Sequence, residues 1–185
     1  MEELLGILIG IGLSATCGFR IFVPLLGMGI AFRAGALNFA PGFDWIGSWP
    51  AMVAFGIAMV LEIAAYYIPW LDNLLDSIAT PAAVVAGTIA TASMVSDVSP
   101  FIRWTLAIIA GGGVAGLIQG SSVAIRGVSA ASTGGIGNPV VSTGELIASI
   151  LGTIISILLP YLAIVLVAVL LSVIMRRFSR LKRSD

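Results

Sequence analysis

Arg20 is the first residue whose type could do chemistry, because it stands as a lone charge in an apolar run between Gly18 and Pro24. A guanidinium at membrane depth costs about 2.5–3.5 kcal/mol on insertion scales, so its presence there asks for a reason. Two are open. It pairs an anion or solute where a helix is broken, or it caps freed carbonyls or snorkels to water as a structural element. Glu62 lies inside a second apolar run, ahead of Pro69. There it could titrate as a proton carrier or pair with Arg20. Asp72 and Asp76 are four residues apart and share a face in a helix. Together they could hold a metal cation through oxygen ligands, or form a solvated acidic face. The fourth group is Ser132-Thr133-Gly134-Gly135-Ile136-Gly137-Asn138-Pro139. Thr133, Gly134 and Gly135 free the backbone to turn, and Asn138 can cap the helix that Pro139 opens. Irregular backbone at membrane depth survives only where protein or a wet cavity surrounds it, which is how transport sites are built from discontinuous helices. The same residues also suit an ordinary surface loop.

The elements that must position these residues are hydrophobic helices. Of the 185 residues, 59% are hydrophobic and 10% charged, against about 25% charged in soluble domains. Mean hydropathy is +1.12. The stretch 146–175 carries no charge, and as one helix it would run about 45 Å against a hydrocarbon core of about 30 Å. This predicts an all-α integral membrane protein of about six spans, with five to seven admissible, and with broken or re-entrant helices. One transmembrane domain over 1–178 is expected, followed by a basic cytoplasmic tail at 179–185.

Helix breaks are expected at Gly18, Pro24, Pro81, Pro139 and Pro160. Thr80-Pro81 reads as the start of a span after an amphipathic connector, and Ser99-Pro100 as the start of the next. The segment 34–49 has the composition of an interfacial loop, with Trp45 and Trp49 at headgroup depth. Counting 142–175 as two short spans gives six, with the N-terminus cytoplasmic. Counting it as one kinked helix gives five, with the N-terminus outside. A weak likeness between 18–33 and 111–126, which aligns Gly18 with Gly111 and Arg33 with Arg126, suggests halves at 1–98 and 99–178. Three spans in each would form an inverted repeat.

Several function classes recede. The chain has no His and one Cys, which removes the commonest general base and zinc ligand and any internal disulfide. No Ser/His or Ser/Lys pair is present, so an enzyme is not expected. A lipid-headgroup enzyme using Asp72 and Asp76 is the remaining version of that idea. Zero net charge argues against nucleic acid. No cofactor is implied. The expected partners are membrane lipids, a small solute or ion, and a further copy of the chain.

LSATCGFRIFVPLLGMG, IPWLDNLLDSIATP and STGGIGNPVVS, in that order, resemble a family of small bacterial membrane proteins known as domain of unknown function 4126. The resemblance covers roughly Leu13 to Ser142. It implies a compact multi-helix membrane protein and marks Gly18, Arg20, Pro24, Asp72, Asp76, Thr133, Gly134, Gly135, Asn138 and Pro139. It supplies no substrate. The expectation is a small-solute or ion transporter or channel of the inner membrane, its C-terminus cytoplasmic and its site at discontinuous helices around Arg20, Glu62 and the glycine-rich segment. The competing expectation is a non-transporting membrane scaffold or partner subunit.

Overall fold

The structure, a computed structural model, describes residues 2–181, without the side chains of residues 2, 69, 70, 72, 73 and 177–181. Every regular element among them is helical. The helices are α1 (Glu2–Cys17), α2 (Phe22–Arg33), α3 (Trp49–Ala65), α4 (Pro69–Met94), α5 (Pro100–Leu106), α6 (Gly113–Thr133), α7 (Asn138–Leu158) and α8 (Pro160–Leu181). A π-helical segment, Ala107–Gly112, joins α5 to α6 in one rod, and a 3-10 turn at Asp44–Gly47 sits in the loop before α3. Of the expected tail 179–185, only the backbone of 179–181 lies within the description, as the last turn of α8.

Glycines set the helix directions by letting backbones touch. A Cβ on Gly6 would strike the Met94 carbonyl, and one on Gly10 would come 2.9 Å from Thr91 Cα, so α1 runs antiparallel to α4. Gly12 meets Ser156 while Gly152 meets Thr16, so α1 is also antiparallel to α7. Thr153 touches both Thr16 and Gly27, which closes α1 and α2 into a hairpin with Arg20 at its tip. The π segment packs its Gly111 on Gly87 and Thr91 of α4, and Ser14 Oγ donates to the Gly111 carbonyl. A π bulge widens the helix and frees carbonyls from the regular ladder, and that hydroxyl takes one of them.

Polar and small side chains point inward, and the outer faces are apolar. On α7 the buried set is Asn138, Ser142, Glu145, Ser149, Thr153 and Ser156, while Ile147, Leu151, Ile154 and Leu158 are exposed. On α6, Gln119, Ser122 and Arg126 are buried and Leu117, Ile125 and Val128 exposed. Three stretches are long and apolar enough to cross a membrane: Leu74–Met94, Pro100–Thr133 and Asn138–Leu158. The remaining four, Glu3–Cys17, Phe22–Arg33, Trp49–Ala65 and Pro160–Arg176, are shorter.

Helices end at Cys17, Thr133 and Leu158, ahead of Gly18, Pro139 and Pro160, with Pro139 the second residue of α7 and Pro160 the first of α8. Pro24 is the third residue of α2, so it follows its break and does not make it. Pro81 makes none: α4 runs unbroken through it, and Thr80 Oγ1 donates back to the Asp76 carbonyl instead of capping a new span. A proline forfeits one amide, and Pro81 is on the exposed side of α4. The helices give the expected 3+3 division no support. Four helices occupy 1–98 and three rods follow, Arg33 is exposed while Arg126 is buried, and Gly27 packs tightly while Gly120 meets nothing.

Candidate functional site

The tip of the α1–α2 hairpin is the centre of a buried charge cluster. Gly18 is required there because a Cβ would come 2.7 Å from both the Ala115 carbonyl and Ile118 Cβ. That close approach to α6 turns the chain and aims Arg20 across the bundle at α7. Arg20 is 1% exposed. Its Nη2 donates to the Ser142 carbonyl at 2.8 Å and to Ser142 Oγ, and lies 3.6 Å from Glu145 Oε2. Its Nε and Nη1 make no hydrogen bond.

Arg126 of α6 reaches the same carboxylate, with Nη1 3.4 Å from Glu145 Oε2, and its Nη2 lies 2.7 Å from Asp76 Oδ1 on α4. Both guanidiniums stand over the Tyr66 ring at the end of α3, at 4.1 and 4.3 Å from its centroid. Desolvated contacts of this kind are worth about 2 kcal/mol each. Next door, Tyr67 and Thr143 hydroxyls meet at 2.8 Å. Five helices thus converge on the hairpin tip through charged or aromatic groups: α2's start, α3's end, α4, α6 and α7.

Glu62 does not pair with Arg20 in the expected way. Its Oε1 accepts from the Ile21 amide at 2.9 Å and its Oε2 from the Phe22 amide at 3.2 Å. A carboxylate from α3 therefore caps α2, at the positive end of that helix's dipole, because α2 has no side-chain cap of its own. Arg20's carboxylate partner is Glu145, 125 residues further along the chain (145 − 20).

The glycine-rich segment lies further out at the same end. α6 ends on Gly134 in the left-handed conformation (φ 64°), and Gly135 follows at φ 90°. Thr133 Oγ1 accepts from the Gly137 amide at 2.9 Å. Thr133 and Gly134 are exposed, and Gly135 is buried. Thr133 is seven residues beyond Arg126, about 10 Å along the helix. The helix cap of α7 is Gly137, not Asn138: Asn138 is the first helical residue, 3% exposed, with its side chain turned inward one turn above Ser142. Asp76 is engaged with Arg126, the side chain of Asp72 lies outside the described residues, and no group of three potential metal ligands occurs among the described ones.

Arg126, Glu145, Ser142 and Tyr66 escaped the reading of lone charges. The signal was present in α7, where buried polar residues recur at 138, 142, 145, 149, 153 and 156 and Thr143 is the one other polar side chain. That 4-3-4-4-3 spacing is one helical face.

Chemically, the cluster has no imidazole and no thiol, since Cys17 is buried elsewhere in the core. It can hold and exchange ionic partners. Glu145 is shared by two arginines, so either can release it without leaving it unpaired.

Residues 7–180 match the profile of the family described as Domain of unknown function (DUF4126). The match covers nearly the whole chain, and the protein belongs to that family. No curated protein and no solved structure matches it.

Proposed function

We propose that this protein is an integral membrane protein that moves a small solute or ion, and that the Arg20–Glu145–Arg126–Asp76 network is its site. The observation that carries the reading is the sharing of buried Glu145 between two arginines on separate helices. Buried ion pairs are poor stabilisers compared with apolar packing, and in membrane segments they mark transport paths and relays. The distribution of side chains supports the membrane setting. Isoleucines, leucines and valines cover the outside, and hydroxyls, glycines and charges share the inside with apolar side chains, as suits a lipid solvent.

In this reading the hairpin tip, the glycine-rich turn and the end of α8 share one side of the bilayer. The arginines of the C-terminal block put that side in the cytoplasm by the positive-inside rule. Trp45 and Trp49 then lie at the opposite interface, with Arg33 stacked on Trp49 at 4.5 Å.

Purified protein in proteoliposomes, loaded with a pH dye or with radiolabelled inorganic ions and small organic solutes, tests the proposal. A protein-dependent flux that Arg20→Lys reduces and Glu145→Gln abolishes is expected. Arg20 also ties the hairpin to α7, which suits a scaffold. Vesicles as tight as protein-free ones to every solute, with variants that only lose stability, would select that second reading.

A further inference from the structure

We propose that the groove between α3 and α4 binds a lipophilic organic cation, with Glu62 as its counter-charge. This rests on the transport reading above and names the class of solute. The groove has a volume of about 350 Å³ and is lined by Leu61, Ala65, Leu75 and Ile78, with Glu62 and Tyr66 as its polar members. That volume is at the lower end of the roughly 300–1,000 Å³ of small-molecule sites. Its rim, Leu61 and Ile78, is 64% and 61% exposed, so the groove opens sideways between two helices and not along the bundle axis. A guest would enter from lipid.

Charge decides which guest. Glu62 is the one carboxylate in an otherwise apolar wall. Each of its oxygens accepts one backbone amide, and a carboxylate oxygen has capacity for more than one contact. Arg20 and Arg126 are behind Tyr66 and do not line the groove, so an entering anion would meet Glu62 first. The charged groups buried in the bundle are Arg20, Arg126, Glu62 and Glu145, and of these Glu62 lines the groove. A hydrated inorganic ion would surrender its water for a single carboxylate and apolar walls, which is unfavourable. An organic cation with its charge spread over an apolar body loses little hydration and buries its surface against the groove.

Binding is measured on the full chain in detergent micelles with tetraphenylphosphonium, and with tetraphenylborate as a probe of nearly the same shape and opposite charge. Saturable binding of the phosphonium with at least about tenfold preference over the borate is expected. Glu62→Gln should weaken phosphonium binding by about tenfold or more. Because Glu62 also caps α2, Ala58→Phe serves as a second variant. It fills the groove from α3 without touching the cap, and should likewise abolish binding. Equal binding of the two probes, which an apolar groove filled by lipid chains would give, overturns the proposal. So does preference for the borate, or phosphonium binding that both variants leave intact. A flux of inorganic ions that is lost in Glu145→Gln but indifferent to phosphonium would sink this inference and leave the transport reading standing. Stoichiometric phosphonium binding without any flux would do the reverse.

Discussion

Removing Arg20 and Glu145 singly and together tests whether the hairpin tip is held by its ionic partner. In Arg20→Met, α7 loses the donor on Ser142, and Glu145 keeps Arg126 at 3.4 Å. In Glu145→Met, Arg20 loses its carboxylate, while Arg126 retains Asp76 at 2.7 Å. Breaking a buried pair from one side costs about 3–5 kcal/mol, since a charge is left without its counterpart. Retained partners place both singles at the lower end, about 3–4 kcal/mol. The double variant removes both charges and leaves Arg126–Asp76 intact. It should cost about 4–5 kcal/mol, less than the sum of the singles by about 2–3 kcal/mol, which is within the range measured for coupled neighbours. For a chain of this size about 2–4 °C accompanies each kcal/mol, so each single should melt about 6–16 °C below the parent. The protein carries its own reporter. Cys17 is the single cysteine and is fully buried, so a fluorogenic thiol reagent in detergent reads its exposure as the fold opens. Singles that melt within about 2 °C of the parent, or a double equal to the sum of the singles within about 0.5 kcal/mol, would refute the reasoning.

Other outcomes are equally specific. Gly87→Val should destabilise by more than about 2 kcal/mol, because a Cβ there already meets Ser14 Oγ at 2.5 Å and Ala115 Cβ at 2.6 Å; a melting temperature like the parent's would show that α1, α4 and α6 can spread. Glu62→Ala should lower stability by about 1–2 kcal/mol through loss of the α2 cap, with Glu62→Gln recovering part of it, and equal losses in the two would argue that charge alone matters. In a Cys17→Ala background, cysteines at the exposed positions Ser132 and Ala36 should react with an impermeant maleimide from opposite sides of sealed vesicles, and labelling of both from one side would contradict the helix directions.

The helical class, the break at Gly18 and the turn after Thr133 were legible because apolar runs and glycines are local signals. The course of α4 through Pro81 was not. A proline announces a lost hydrogen bond wherever it falls, but whether the helix stops depends on neighbours that the local sequence does not name. Glu62 was legible as a residue that needs a partner and illegible as to which, since backbone amides at Ile21 and Phe22 carry no sequence mark. The pairing of Arg20 with Glu145, and the role of Arg126, depend on which helix faces which. Only the periodic polar face of α7 hinted at that.

The hairpin tip also has a schedule. Arg20 and Ser142 are separated by 122 residues of chain. At about 5–20 residues per second of synthesis, Arg20 exists for roughly 6–24 s before its receptor on α7 is made. A guanidinium cannot rest in hydrocarbon for that time without company. If the chain spans a membrane as proposed, the first two helices must wait at the membrane surface or beside the insertion machinery, and sink only when α7 arrives. The amino-terminal segments, first to be made, would be among the last to reach their final depth. A chain truncated before residue 138 should leave them accessible from the side on which they were synthesised.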